Sequence, residues 1–161
     1  LVLKDGQVAH DPAGLADSEA HDSSPDTARD EFAISAVLDA FLTGRNERRF
    51  DALERCFARD ALLSRSRREP ATMPVRAWID LLQADEAAPG FQIRHVARVV
   101  EVHGDVAFAS AHCRAWTSAD DPPVDERDEI QLLRTQDGWK ILSLVQCPAA
   151  DRTTTPPARD G

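Results

Sequence analysis

The sequence lacks long apolar runs, an excess of basic residues and closely spaced cysteines. No stretch approaches the roughly 18 apolar residues of a membrane-spanning helix, and the N-terminus lacks the basic, apolar and small-residue order of a signal peptide. Nineteen lysines and arginines stand against 28 acidic residues, giving a net charge of −9. Because phosphate binding needs clustered basic side chains, we expect no nucleic-acid partner and no membrane association.

The three cysteines, Cys56, Cys113 and Cys147, are widely spaced and form no Cys-x-x-Cys motif. This spacing is typical of neither a disulfide scaffold nor a zinc site. It predicts reduced thiols in a cytoplasmic protein, with no metal and no cofactor.

Composition divides the 161 residues into three parts. Residues 1–23 are polar and predict a flexible leader, in which Asp5-Gly6 favours a small hairpin turn. Residues 24–148 carry the apolar patterns of one folded domain. Residues 149–161 contain Thr and Pro runs and predict a disordered tail.

Three helices are predicted in the first half of the domain. The first begins at Ser24 and Pro25, because Ser caps helices and Pro suits the first helical position, and ends at Gly44. Its apolar stripe contains Phe32, Val37, Leu38, Phe41 and Leu42. The second helix spans about Phe50 to Phe57, and the third follows Pro74. Between them, residues 61–64 favour a short strand or turn.

From Phe91 onward the pattern changes to strands. The four runs are 91–103, 106–117, 127–135 and 139–147, and they are joined in pairs by Gly104-Asp105 and Asp137-Gly138 turns. Glycine-containing two-residue turns are typical of antiparallel hairpins. Helices followed by consecutive antiparallel strands predict an α+β fold.

The first hairpin separates two kinds of side chain. A turn at Gly104-Asp105 places His95 opposite Arg114 and Ala97 opposite His112. One face, which we expect to line a pocket, then contains His95, Val99, Phe108, Ser110, His112, Arg114 and Trp116. The other, which we expect at a two-fold dimer interface, contains Ala107, Ala109, Ala111, Cys113 and Ala115. In the alternative, the small residues face the helices and the histidine face is solvated; a one-residue bulge would exchange the faces.

Pairing residues in the same way across a turn at Asp137-Gly138 gives the two faces of the second hairpin, one of which should cover the helices. Its members are Asp128, Ile130, Leu132, Trp139, Ile141, Ser143, Val145 and Cys147. The opposite face carries charged and amide side chains and is expected to be wetter.

Several segments also carry a resemblance to a known family. They are Phe50-Asp51-Ala52-Leu53, Phe57-Ala58-Arg59-Asp60-Ala61, Gly104-Asp105-Val106-Ala107, and Asp128-Glu129-Ile130-Gln131-Leu132-Leu133 before Asp137-Gly138-Trp139-Lys140-Ile141. From about Asp26 to Cys147 the chain resembles the nuclear-transport-factor-2-like (NTF2-like) superfamily, with the SnoaL-like and lumazine-binding groups the most similar. The resemblance implies a cone, in which three N-terminal helices cover a curved, mainly antiparallel sheet. It also implies a pocket for a small apolar or aromatic molecule, and homodimers that pack through the convex face.

The family's chemistries differ in how well these residues suit them. Steroid isomerases of this fold use a Tyr and a protonated Asp, and scytalone dehydratase also relies on Tyr. This chain has no Tyr, and Ile130 occupies the position matched to that Asp. The Asp-Arg-Asp arrangement of the epoxide hydrolases would need a second Asp beside Arg114 and Asp128. The SnoaL-type cyclases need only one acid/base in an apolar pocket, which Asp128, His95 or His112 would provide.

Three classes of function therefore stay open, the third being a regulatory domain whose acidic leader engages a partner. In the first, the protein is a cofactor-independent cyclase, dehydratase or isomerase, in which His112 or Asp128 moves a proton and Arg114 steadies an oxyanion. In the second, it is a non-catalytic ligand-binding or dimerisation module, in which His112 is simply a hydrogen-bonded surface residue and Arg114 an ion-pair partner of Asp128 or Glu129. His95 and His112 lack a third ligand for a metal. Candidate ligand-binding residues are Trp78, Phe108, Ser110, Trp116, Ser143 and Cys147.

Overall fold

In chain order, two helices, two strands and a third helix precede four consecutive strands. The computed structural model describes residues 25–66, 71–85, 90–118 and 120–148. The helices are α1 (Pro25–Asn46), α2 (Phe50–Arg55) and α3 (Val75–Ala84). The strands are β1 (Phe57–Arg65), β2 (Ala71–Pro74), β3 (Gln92–His103), β4 (Val106–Trp116), β5 (Val124–Thr135) and β6 (Gly138–Pro148). The predicted leader, its hairpin, the Ser24 cap and the tail lie outside the described residues.

The strands form one mixed sheet in the order β2-β1-β6-β5-β4-β3. Only β1 and β6 pair in parallel; the other neighbours are antiparallel. The helices cover one side, called here the inner face, and the opposite side is called the outer face. The α+β cone with a mainly antiparallel sheet under three helices is therefore confirmed. In the described part of the chain, no helix has the length and apolarity to cross a membrane.

Helix α1 begins at Pro25 as predicted, and Leu38, Phe41, Val37 and Leu42 of the predicted stripe lie in or against the core, but Phe32 does not. Ile34, Leu38 and Phe41 are fully buried, whereas Phe32 is 79% exposed. Residues two apart in a helix point to nearly opposite sides, so Phe32 cannot share the face of Ile34. The expectation that Phe32 belongs to the core is wrong.

The C-terminal end of α1 is held by two close contacts. Gly44 lies inside the helix and is not its cap, because α1 continues to Asn46. A Cβ at Gly44 would lie 3.0 Å from the backbone N of Leu53 in α2, so glycine permits the two helices to approach. The Asn46 amide donates to the carbonyl of Ile93 (2.9 Å), and the Ile93 N–H donates back to Asn46 Oδ1 (2.8 Å). These bonds fix the start of β3 beneath α1.

The first hairpin keeps the predicted register only near its turn. Ala97 pairs with His112 and Val99 with Ser110, as expected. The register then shifts between His95 and Ala97, so that His95 lies opposite Cys113 and not opposite Arg114. Val96 is the extra residue. The bulge turns His95 to the inner face.

The second hairpin turns at Gln136-Asp137, because Gly138, with a positive φ of 92°, already pairs with Thr135. A further register shift between Gln131 and Leu132 changes the face presented by the far half of β6. Leu144 and Gln146 are consequently buried, whereas Ser143, Val145 and Cys147, predicted to cover the helices, are only half-buried. The predictions for Asp128, Ile130, Leu132, Trp139 and Ile141 are confirmed, since all five are buried.

The two faces of β4 are exchanged relative to the main expectation. Ala107, Ala109, Ala111, Cys113 and Ala115 are buried on the inner face, where most of them join the core beneath the helices. These small side chains leave room for α1, so the strip cannot be a dimer interface. Phe108, Ser110, His112 and Arg114 point to the outer face and do not line the cone. The alternative, in which the small residues face the helices, is the observed one.

Candidate functional site

Three chemically active side chains meet on the inner face, one from each of three neighbouring strands. His95 comes from β3, Cys113 from β4 and Asp128 from β5, and one nitrogen, sulfur or oxygen atom of each lies within 4.8 Å of the others. The Val96 bulge is what brings His95 into this group. Sequence register without the bulge separates His95 from Cys113 and Asp128.

Asp128 is the most unusual member of the group, because it is fully buried. Neither carboxyl oxygen has a hydrogen-bond partner among the described residues. Burial raises the pKa of Asp128 to about 6, although the nearby Arg45 guanidinium, Cys113 thiol and Gln146 amide oppose the rise. A buried carboxylate without hydrogen bonds is costly, so the carboxyl group retains a proton up to mildly acidic pH.

The pKa of His95 is shifted in the opposite direction, downwards. Burial, and then the positive charge of Arg98, lower the pKa of His95 to about 4, while Asp39 opposes this weakly. Neither ring nitrogen has a hydrogen-bond partner in the described part of the chain. The imidazole is therefore neutral at neutral pH. Arg98 itself is held by Asp39 at 2.8 Å.

Cys113 is a poor nucleophile in this setting. Its thiol is 3.6 Å from the carbonyl oxygen of Ala111 and donates to it. Burial, reinforced by the neighbouring Asp128, raises the pKa of the thiol. Reactive cysteines have a lowered pKa, so Cys113 is inert by this criterion.

A nitrogen, a sulfur and a carboxylate oxygen are also the atoms that bind zinc. Here, however, two guanidinium groups act on the trio, Arg45 on the Asp128 charge and Arg98 on that of His95. Arg98 is paired with Asp39, so the buried Arg45 supplies the main charge that opposes the entry of a divalent cation. The electrostatics therefore favour the trio as a proton-holding group over a metal centre.

Arg45, in the last turn of α1, forms the link between this trio and the open end of the cone. Its guanidinium carbon lies 4.6 Å from the ring centre of Phe91 and 5.5 Å from that of Trp78. Its Nε and Nη1 atoms are buried without a hydrogen-bond partner among the described residues. Burial lowers the pKa of Arg45, and Asp128 and Glu126 counteract this.

A cavity of about 240 Å³ opens beside Arg45. It is lined by Arg45, Arg65, Phe91, Ala115, Thr117, Val124, Glu126 and Gln146. A second cavity of about 160 Å³ shares three of these residues, Arg45, Arg65 and Phe91. Asp128 lies behind the wall of the larger cavity, since Gln146, its partner in the β5–β6 pairing, stands in that wall.

Two of the predicted catalytic residues lie elsewhere, on the outer face. His112 Nε2 is 3.3 Å and Arg114 Nε 3.2 Å from the same oxygen of Asp125, and the two side chains are 47% and 50% exposed. The hydrogen bond from Arg114 lowers the pKa of Asp125. The structure therefore brings His95 and Asp128 together and separates them from His112 and Arg114.

The predicted ligand-binding residues are also divided between the faces. Trp78 is buried in the core, edge-on to Phe57 at 6.2 Å. Phe108 and Ser110 lie on the outer face, where Ser110 contacts Glu129 and Arg127. Trp116 is half-buried beneath the Arg94 guanidinium. Ser143 is within 3.5 Å of Gln131, and Cys147 is a half-buried free thiol.

The cavity residues were missed because they are spread over five elements and the loops before β3 and after β4. One sequence signal nevertheless points to Arg45. Ile34, Leu38 and Phe41 recur at intervals of four and three, and the next position of that stripe is Arg45. A charged residue on the buried stripe of a helix marks a site where the core opens. No comparable signal identifies Arg65, Glu126 or Gln146.

Comparison with known proteins agrees with this architecture. The family described as "Putative lumazine-binding" matches residues 29–145. A Kribbella flavida protein, Kfla4162, superposes with a TM-score of 0.67 at 22% identity, over 77% of this chain and 93% of that one. An NTF2-like protein with a cystatin-like fold from Novosphingobium aromaticivorans gives 0.67 at 17% identity, over 87% and 95%. Comparison with curated proteins gives no significant match.

A protein from Streptomyces avermitilis, named a putative dehydratase of the NTF2-like family, has a TM-score of 0.62 at 17% identity, over 80% of this chain and 100% of that one. Identities of this size show a shared fold only. The match to the family covers most of the domain, and the predicted superfamily is confirmed. The chain belongs to the family described as putative lumazine-binding, within the NTF2-like superfamily.

Proposed function

We propose that the protein binds a small, partly apolar, planar molecule in the cavity beside Arg45. The observation that carries this proposal is the cavity itself, about 240 Å³ at the open end of the cone. The Phe91 ring offers an apolar surface, while Arg45, Glu126 and Gln146 offer polar contacts. The family description, which refers to lumazine, supports a planar ring system as the ligand.

Filling the cavity tests this proposal. Ala115 lines the cavity from β4, and Ala97 is an exposed alanine of the outer face on neighbouring β3. Lumazine and 2-naphthamide are suitable neutral probes, followed by isothermal titration calorimetry. Ala115→Leu should weaken binding about tenfold or more, since the added side chain occupies the ligand's space, whereas Ala97→Leu should leave it unchanged. Absence of binding to the wild-type protein, or equal binding to both variants, would contradict the proposal.

Acid/base catalysis in the cone is a second candidate, favoured by the buried Asp128 carboxyl. Its pKa of about 6 suits a group that both accepts and returns a proton near neutral pH. It would support the cofactor-independent cyclisation, dehydration or isomerisation expected from the resemblance. A ligand would reach it past Gln146, whose Nε2 atom has no hydrogen-bond partner among the described residues.

Proton exchange on an enolisable probe separates catalysis from binding. 2-Tetralone in D₂O, followed by proton NMR, should lose its α-protons faster with the wild-type protein than with Asp128→Asn. The rate should rise as pH increases through about 6, as the carboxyl group ionises. His112→Gln, on the outer face, is the matched control and should exchange normally. Equal rates for wild type and Asp128→Asn would leave only the binding function.

The homodimer, in the cytoplasm, is a proposal too, and we now place its interface on the outer face. Val96, Val99 and Phe108 are 53%, 64% and 47% exposed there. In sedimentation velocity experiments, Val99→Asp should shift the protein towards monomer. Phe32→Asp, on the still more exposed Phe32 of α1, should not. A wild-type protein that sediments as a monomer at micromolar concentration would refute this interface.

A further inference from the structure

Two guanidinium groups face the same space at the open end of the cone. Arg45 from α1 and Arg65 from β1 line both cavities, and Phe91 is the third residue that the two linings share. Within the described residues, neither forms an ion pair with an acidic side chain. The charge of Arg65 acts on Arg45 and lowers its pKa, so the two groups repel each other. An anion between them would relieve this repulsion.

The other groups around the cavity determine how strongly an anion is attracted. Glu126 of β5 lines the larger cavity and offsets one positive charge, and Gln146 of β6 is a neutral amide. Behind the wall stand Asp128, the Cys113 thiol, and the neutral His95. The remaining positive charge is therefore compensated only when Asp128 ionises. In the cavity lining, the buried side-chain atoms that have no hydrogen-bond partner among the described residues are Arg45 Nε and Nη1 and Gln146 Nε2, and all three are donors.

We propose that the ligand of this cavity is a small planar carboxylic acid, bound as its carboxylate by Arg45 and Arg65 with its ring against Phe91. The planar guanidinium fork suits a carboxylate, because it offers parallel N–H donors. The Phe91 ring, already stacked on Arg45 at 4.6 Å, extends the apolar surface over which an aromatic ring can lie. This inference rests on the proposed binding function and names its ligand class.

The pH dependence follows from the same arrangement. Protonation of Asp128 removes a negative charge close to Arg45, so the carboxylate should bind more tightly below about pH 6 than above it. A ligand with a very low pKa is needed, so that it stays ionised throughout. In Asp128→Asn this dependence should disappear while binding persists, because the asparagine carries no charge at any pH.

The experiment compares 2-naphthoate with the neutral 2-naphthamide by isothermal titration calorimetry at pH 7. The wild-type protein should bind the naphthoate about tenfold more tightly. Arg65→Gln should remove this preference and leave the affinity for the amide. Arg94→Gln, which changes an exposed arginine outside the cavity, should keep the preference for the naphthoate. For the pH series, 2-naphthalenesulfonate replaces the carboxylate because it does not titrate.

The outcomes separate the two proposals. Binding of the amide with no preference for the naphthoate, or a preference that survives Arg65→Gln, would overturn the carboxylate proposal and leave the binding function standing. Failure of both probes to bind would overturn both. Arg45→Gln is the less useful variant, because the side chain packs between two aromatic rings and its loss disturbs the core.

Discussion

The inner and outer faces of the sheet each carry a histidine close to an aspartate. On the inner face, Asp128 is buried and His95 half-buried, and neither the carboxyl oxygens nor the ring nitrogens have hydrogen-bond partners among the described residues. On the outer face, His112 and Asp125 are 3.3 Å apart, half exposed, and joined by Arg114. The same two residue types thus occur in two environments of one sheet.

The two environments shift the pKa values of the two aspartates in opposite directions. Burial raises the pKa of Asp128 to about 6, whereas the Arg114 hydrogen bond lowers the pKa of Asp125. A raised pKa indicates a group that exchanges protons near neutral pH; a lowered one indicates a permanently charged partner in an ion pair. Solvent exposure, more than residue type, therefore distinguishes a candidate acid/base from a surface ion pair.

The largest expected difference between the faces concerns apolar packing. Leu132 is fully buried on the inner face, and Phe108 is 47% exposed on the outer face. We expect Leu132→Ala to lower the free energy of unfolding by about 2–5 kcal/mol, because it removes buried methyl groups and leaves a cavity. In the monomer, Phe108→Ala should lower the free energy of unfolding much less, because the Phe108 side chain is already in contact with water. Urea denaturation measures both, and equal losses would mean that the outer face is covered in solution.

The titration of the inner pair gives the next largest effect. Asp128 has a folded-state pKa of about 6 against 3.8 ordinarily, so the folded state holds the proton to higher pH. Its contribution to the free energy of unfolding therefore falls by roughly 3 kcal/mol as pH rises from about 4 to about 6. His95, with a pKa of about 4 against 6.5, behaves oppositely. Its contribution falls as pH decreases from about 6.5 to about 4, by less than the roughly 3 kcal/mol of the full shift, because water partly screens the half-buried imidazole.

These contributions oppose each other in the wild-type protein, and variants separate them. In His95→Gln, the free energy of unfolding should fall as pH rises from 4 to 6, because Asp128 still titrates. In Asp128→Asn, the free energy of unfolding should rise as pH rises over the same range, because His95 still titrates. Urea denaturation at half-unit pH intervals measures both slopes, relative to the double variant. If the free energy of unfolding changed with pH in the same direction in both single variants, burial would not be the cause of the two pKa shifts.

Sequence pattern predicted the fold better than the site, for an identifiable reason. The Gly104 turn, the four strands and the three helices follow from local propensity and periodicity, which act over a few residues. The site depends on two register shifts, one at Val96 and one near Leu142, and neither leaves a local signal. One inserted residue moves every later side chain to the other face. His95 and Gln146 reached the inner face in this way.

The second reason concerns which face of β4 is buried. Its polar and aromatic side chains resembled a pocket lining, and its alanines resembled an interface. Helix α1 instead needs the small side chains beneath it, as the burial of Ala107 and Ala111 shows. The choice depends on the size of the space between helix and sheet, which a single strand does not encode. His112 was consequently preferred over His95 as a base.

The smallest expected effect lies in the outer pair, and it completes the contrast with the inner one. Because Asp125, His112 and Arg114 are about half exposed, water and salt screen their interactions, and Asp125→Asn should change stability little. The pKa of the Asp125 carboxyl, measured by carbon-detected NMR, should nevertheless rise towards its ordinary value in Arg114→Gln, since the first cause of its lowering is that hydrogen bond. Half-molar NaCl should act in the same direction, while leaving the pKa of the buried Asp128 nearly constant. If salt shifted the pKa of Asp128 as much as the pKa of Asp125, both carboxyl groups would be in contact with solvent. Burial would then no longer explain why the two faces differ.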